Sequence, residues 1–323
     1  MNLCRICRYK RAKSVGYFRP YSDLDGFEVF DCLDCGCRFV WRKEEVHEGM
    51  HASKYSPYSF HEKIANEVSE YFHNNQLHSL KQYLSKTPKF RFVIDRISQV
   101  NKNAKIFELG CSLGYLTSYF ILARYDVIGA DISSTAIQKA RSYFGKHFIG
   151  IDKQFYDQAN CFDFVYHLGT IGCVNNPIAF TKVSLNLLRP GGKLLFNAPD
   201  VKAAREMGAI WNNSTPPPDL ITLFDESFWE NQFKDLADVD ITYEPYCHYS
   251  NAAKHIDKLL NRPYLDPKPK LFHKMVFPKA SDKLRVKRIL RRIMIQLFYY
   301  LSKLNIIHQY KPEFGMFVSL TKK

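Results

Sequence analysis

The segment Glu108-Leu109-Gly110-Cys111-Ser112-Leu113-Gly114 constrains this chain more than any other. It joins an apolar run, Lys105 to Leu109, to a helical pattern, Leu113 to Ala123. Glycine at such a junction permits a tight turn and close approach of a ligand to the backbone. The helix start adds N–H groups that have no partner within the helix. Alone, such a turn is an ordinary strand-to-helix connection, so its surroundings decide its meaning.

Those surroundings alternate. Asp126 to Ala130, His147 to Ile151, Phe162 to His167 and Lys193 to Asn197 read as strands. Helical patterns cover Thr135 to Phe144 and Pro177 to Leu188. Ser133 or Ser134 can cap the first of these helices and Gly145 can end it. Val239 to Tyr243 and Gly315 to Leu320 supply two more strands. Alternation of this kind predicts an α/β fold with a doubly wound, mostly parallel, seven-stranded sheet. Residues 60–100 carry apolar side chains at helical spacing. The predicted organisation is a cysteine-rich module at 1–45, a helical linker or cap at 46–100 and a nucleotide-binding type domain at 101–323. Residues 250–312 form a helical insertion before the last strand.

Further motifs follow the glycine turn in order. They are Val127-Ile128-Gly129-Ala130-Asp131-Ile132-Ser133, Phe162-Asp163-Phe164-Val165 and Leu188-Arg189-Pro190-Gly191-Gly192-Lys193-Leu194. Together they resemble the class I S-adenosylmethionine-dependent methyltransferase family, strongly over residues 100–200 and loosely over 225–323. The resemblance implies a Rossmann-like methyltransferase fold with S-adenosyl-L-methionine as cofactor. It also implies that Glu108, Gly110, Cys111, Ser112 and Gly114 shape the methionine end of the pocket, and that Asp131, with Ile132 beside it, holds the ribose. Asp152 is a candidate for the adenine amino group, its alternative being a solvated loop acid. The chain departs from the family at Ser112, where glycine is usual, and at Gly172-Cys173, where an acid–histidine pair is common. A nicotinamide-binding Rossmann domain is the nearest rival fold, but it lacks the Pro-Gly-Gly turn before the fifth strand.

Cys4-x-x-Cys7 and Cys32-x-x-Cys35 form two knuckles separated by 24 residues. Four thiolates so spaced can surround a Zn2+ ion tetrahedrally, and a closed set leaves no position for catalysis, so a structural zinc ribbon is expected. Four cysteines unrelated to a metal are the alternative. A four-cysteine module ahead of such a domain resembles two groups. One comprises methyltransferases of nucleotide-linked sugars and polysaccharide biosynthesis, and the other comprises zinc-ribbon ribosomal-RNA methyltransferases. The phrases His167 to Pro177 and Phe196 to Asp200 look more like the first. The implied reaction is O- or C-methylation of a saccharide or nucleotide-sugar acceptor. An RNA acceptor and a non-catalytic cofactor- or partner-binding protein remain alternatives. Candidate bases for proton removal are His167, at the end of the fourth strand and also near the cofactor, His248 after the sixth and Asp200 beyond the fifth.

The formal charge is +14, but its location matters more. Residues 251–323 contain seventeen Lys and Arg against four Asp and Glu, while the rest of the chain is nearly balanced. Between Lys283 and Leu304 the pattern is that of a basic amphipathic helix. It fits a helix packed on the domain with a solvated basic side, a contact with an anionic membrane surface, or an RNA contact, which the balanced remainder disfavours. No apolar run is long enough to span a bilayer, and the first residues lack a signal-peptide pattern. A cytoplasmic protein, peripheral to the inner face of a membrane if the basic helix binds one, is the expectation.

Overall fold

A computed structural model describes residues 3–9, 11–18, 26–41, 60–151, 159–206, 209–211, 215, 217–243, 256, 290–291, 293–298, 300–301 and 315–323. Two sheets organise them. Strands β1 (Ala12–Phe18), β2 (Phe27–Cys32) and β3 (Arg38–Val40) form an antiparallel N-terminal sheet. Helices α1 (Phe60–His73), α2 (Leu77–Leu84) and α3 (Pro88–Ile97) follow. The main domain then runs β4 (Lys105–Leu109), α4 (Tyr115–Leu122), β5 (Asp126–Asp131), α5 (Ser134–Phe144), β6 (Phe148–Gly150), β7 (Phe162–His167), α6 (Pro177–Leu187) and β8 (Leu188–Ala198). It ends with α7 (Val201–Glu206), β9 (Thr222–Leu223), α8 (Glu226–Phe233), β10 (Ala237–Tyr243) and β11 (Met316–Lys322).

The large sheet has the order β10-β11-β8-β7-β4-β5-β6, with β11 antiparallel to both neighbours. From β4 the chain adds β5 and β6 on one side and then β7 and β8 on the other, so strand order reverses at the parallel β4–β7 pair, the place where open α/β sheets bind ligands beyond the strand ends. Side chains alternate as strand geometry requires. Phe107, Val165, Phe196 and Val318 enter a core shared with α6, α8 and the N-terminal module. Ile106, Phe164, Leu195 and Phe317 enter a second core under α1 to α5. The predicted turn Arg189 to Gly192 lies inside β8: β7 pairs Phe162 with Leu188 and Phe164 with Lys193, so the chain bulges there, with Gly191 at φ +76°. Ser133 caps α5, its Oγ accepting from Ala136 N at 3.2 Å, and Gly145 closes that helix at φ +89°.

The small sheet does not close on residues 1–45. Its fourth strand is β9, which pairs antiparallel with β3 through Arg38–Leu223 and Phe39–Thr222. Arg5, between the first two cysteines, is buried and donates to the carbonyls of Val174 (3.2 Å) and Asn175 (3.3 Å) and to Thr222 Oγ1. Arg38 is bidentate to Asp31 and donates to the carbonyls of Ala209 (2.8 Å) and Ile210 (3.0 Å). The module is thereby tied to the loops that leave the C-terminal ends of β7 and β8. Arg5→Met should therefore lower the free energy of unfolding by about 2–3 kcal/mol, the scale of charge-assisted hydrogen bonds lost at a buried site. Urea denaturation checks this, and an unchanged midpoint would show that Arg5 does not anchor the module.

Candidate functional site

The turn after β4 is held from behind. Gly110 N (2.7 Å) and Cys111 N (2.9 Å) both donate to Ala130 O at the end of β5. Gly110, Ser112 and Gly114 all have positive φ, +81°, +52° and +76°. A Cβ on Gly110 would stand 2.7 Å from Thr170 Oγ1, and one on Gly114 would stand 2.3 Å from Phe148. Glycine is thus required twice, once by the loop after β7 and once by β6. Serine at the third position accepts the left-handed backbone, at a cost on the order of 1–2 kcal/mol. No side chain caps Gly114 at the start of α4.

Asp131 is the second element. Its Oδ2 accepts from Ser112 N and its Oδ1 from Ser133 N, each at 2.9 Å. One buried carboxylate therefore joins the glycine turn to the turn after β5. Beside it Ile132 is 64% exposed, an apolar face turned outward next to an acid. The Ser112 hydroxyl oxygen, by contrast, is buried with no hydrogen-bond partner among the described residues. An orphaned hydroxyl within a glycine cradle, next to an acid and an exposed apolar side chain, fits a nucleoside-bearing ligand that supplies the missing partner.

Glu108 lies beneath this turn. Tyr166 OH donates to its Oε2 at 2.9 Å and Thr117 Oγ1 donates to the same oxygen. Burial raises its carboxyl to about 7 against these two donors. Glu108 thus belongs to the floor, in the core under α4. Cys111 is also buried, and burial holds its thiol well above the ordinary range, so it contributes through its backbone. Two residues beside the turn carried no sequence signal: Thr170, whose hydroxyl fits against Gly110, and Tyr115, whose OH meets His61 Nδ1 at 3.3 Å.

The candidate bases are placed differently. His167 is fully buried, stacked on Phe196 (4.7 Å, 14°) and edge-on to Phe180 (5.1 Å). Neither ring nitrogen has a partner among the described residues, and burial lowers its pKa to about 3. This environment keeps the imidazole neutral and packed between two aromatic rings. Asp200 is buried on the loop leaving β8, its Oδ1 accepting from Lys202 N at 2.7 Å. His248 and Asp152 lie outside the described residues.

The four cysteines converge. The Sγ atoms of Cys4, Cys7, Cys32 and Cys35 all lie within 4.8 Å of one another, with Cys4–Cys35 at 3.9 Å and Cys7–Cys32 at 3.6 Å. A tetrahedral ion with metal–sulfur bonds of about 2.3 Å has sulfur–sulfur edges of about 3.8 Å, so the donor set fits such a metal. Ile6 N and Cys35 N point at Cys4 and Cys32 sulfurs (3.4 and 3.5 Å), as in a knuckle whose first cysteine is a thiolate. Without a cation the thiols resist ionisation: the Cys35 contact and burial raise Cys4, and burial raises Cys7 to about 12. Cys37 stays outside the cluster, its Sγ donating to Cys35 O.

Residues 77–236 match the family model described as a methyltransferase domain. No curated protein matches the chain. Among solved structures, the chain is similar to one from the Haloferax volcanii complex of the Trm112 methyltransferase activator with a putative methyltransferase. The identity is 13%, covering 79% of this chain and 97% of that one, at TM-score 0.44. A SAM-dependent methyltransferase from Archaeoglobus fulgidus gives 10%, 75% and 97%, at 0.44. A SAM-dependent methyltransferase from Thermotoga maritima, described as a possible histamine N-methyltransferase, gives 12%, 81% and 97%, at 0.41. The matched segment holds the glycine turn, Asp131 and five of the seven strands of the large sheet, β4 to β8, with the helices between them. Residues 77–236 thus form a methyltransferase domain.

The titration of His167 gives a check. Its folded pKa lies below the unfolded value of 6.5, so the unfolded chain binds the extra proton between about 3 and 6.5. Stability should fall as pH drops through that window. His167→Phe should flatten this limb and raise thermal stability, since two unpaired buried nitrogens disappear. Unfolding measured from pH 7 to pH 4 decides it, and an unaltered slope would show that His167 is not the buried neutral group described.

Proposed function

We propose that this methyltransferase acts on a small hydroxylated acceptor of the saccharide or nucleotide-sugar class, with Asp200 as the base and a structural zinc ion in the four-cysteine cluster. The observation that carries the cofactor part is the cradle of Gly110, Ser112 and Gly114 clamped to Asp131, with the Ser112 hydroxyl unpaired. S-adenosyl-L-methionine supplies an electrophilic methyl group when bound. The residues supply position: the 110–114 backbone and the Ser112 hydroxyl meet its amino-acid end, and Asp131 with Ile132 meets its ribose and base.

The acceptor class rests on the resemblance of the cysteine module and of the Phe196 to Asp200 segment to enzymes of nucleotide-linked sugars. It is also supported by the module's placement, since Arg5 and β3 brace the loops 172–175 and 199–225 beside the ligand-binding end of the sheet. Methylating a hydroxyl requires loss of its proton. Asp200, on one of those braced loops, is a carboxylate able to take it. His167, enclosed by two rings and neutral to about pH 3, is the weaker choice. The zinc reading rests on four sulfurs at tetrahedral spacing in an otherwise small core, where metal binding contributes directly to folding.

Calorimetry with S-adenosylhomocysteine is the first test. The wild-type chain should bind it, and Gly110→Ala should weaken binding at least about tenfold, by strain at φ +81° and collision with Thr170. Absence of binding to the wild type would leave the non-catalytic alternative standing. Methyl transfer from labelled cofactor is then compared between nucleotide sugars and ribosomal RNA. Label in RNA alone would overturn the acceptor class. Asp200→Asn should lower kcat by about 10²-fold with cofactor affinity unchanged. Elemental analysis should find zinc, and Cys7→Ser should lose it together with the protection of residues 3–40 from proteolysis.

A further inference from the structure

Among the described residues, fourteen large apolar side chains are exposed, and five of them fall within eleven positions. Leu290 (54%), Ile293 (55%), Met294 (37%), Leu297 (58%) and Tyr300 (60%) lie in one helical segment, 290–301. Their spacing, i, i+3, i+4, i+7 and i+10, places them along one side of a helix. The segment is attached through another side: Ile295, roughly 140–160° around from Leu290, Leu297 and Ile293, is 1% exposed. One of the three sequence readings, a helix packed by its apolar stripe with its basic side in water, is the reverse of this arrangement. In the structure the stripe itself faces outward.

An outward apolar stripe of this size needs an occupant. The surrounding charge indicates which. From Lys283 to Pro312 the chain has eight Lys and Arg and no Asp or Glu. In sequence the ridge is accompanied only by cations, which complements a surface that is anionic outside and apolar beneath. Long basic side chains reach phosphate groups while their stems lie on hydrocarbon. Twelve residues are too few to cross a bilayer, and no described helix is long and apolar enough to do so. RNA would meet the cations but leave the ridge in water. We infer that residues 290–301 are a docking face for an anionic phospholipid surface, on which the helix lies in the plane of the membrane.

Flotation of the full-length protein with vesicles tests this. Protein should float with vesicles of phosphatidylcholine mixed with phosphatidylglycerol at low salt, be released at high salt, and stay behind with phosphatidylcholine alone. The pair Ile293→Glu and Leu297→Glu should reduce the bound fraction at least about tenfold, since two apolar side chains no longer enter the hydrocarbon. Near-UV circular dichroism verifies the fold, and Ile293→Ser with Leu297→Ser replaces the pair if it does not fold. Failure of the wild type to float at low salt, or flotation unaffected by these substitutions, overturns the inference. So does a concentration-dependent dimer in sedimentation that the same substitutions abolish, because a second copy would then be the occupant.

Discussion

The carboxylate of Asp131 holds the site together. Backbone N–H groups from two different turns, at Ser112 and Ser133, end on its two oxygens. Each turn alone is a strand-to-helix junction with several accessible conformations. Sharing one buried acceptor fixes their separation and aims both at the same space beyond the strand ends. The pleat of β4 then sends Glu108 downward, where Thr117 and Tyr166 satisfy it and the α4 core closes over it. Binding surface and floor are thus divided between adjacent residues of one strand and its turn.

Much of this was legible in the sequence, for local reasons. Strand and helix limits followed from periodicity, and the cap at Ser133 and stop at Gly145 followed from residue type. The glycine positions were readable because backbone at positive φ tolerates few alternatives. Convergence of the cysteines followed from knuckle spacing. What sequence could not give was pairing at a distance. Nothing near Arg5 announces Val174 or Thr222 as partners, and nothing in Thr222-Leu223 announces a strand whose neighbour is β3. His167 shows the same limit. Its place at the end of β7 is readable, and so is its orientation opposite Tyr166. That Phe180 and Phe196 close around it depends on how α6 and β8 pack.

Two buried titrating groups sit at the end of the large sheet and pull in opposite directions. Burial raises Glu108 to about 7, so its contribution to stability is present at low pH and is lost as pH rises through that value. His167 works the other way, its contribution lost as pH falls below 6.5. Both shifts have one cause, removal of charge from water at the level where the strands end. A site built there favours neutral groups and makes each remaining charge, such as that of Asp131, count for more.

The pairing of β3 with β9 has a consequence for synthesis. The N-terminal sheet is made first, yet its fourth strand is encoded at Thr222 and Leu223. At about 5–20 residues per second, some 10–40 s separate the emergence of Cys35 from that of its closing strand. During that interval the cysteine knuckles leave the ribosome without the loops that later cover them. Until then only β1 to β3 can pair, so the contacts of Arg5 and β3 with the main domain are the last part of the module to form.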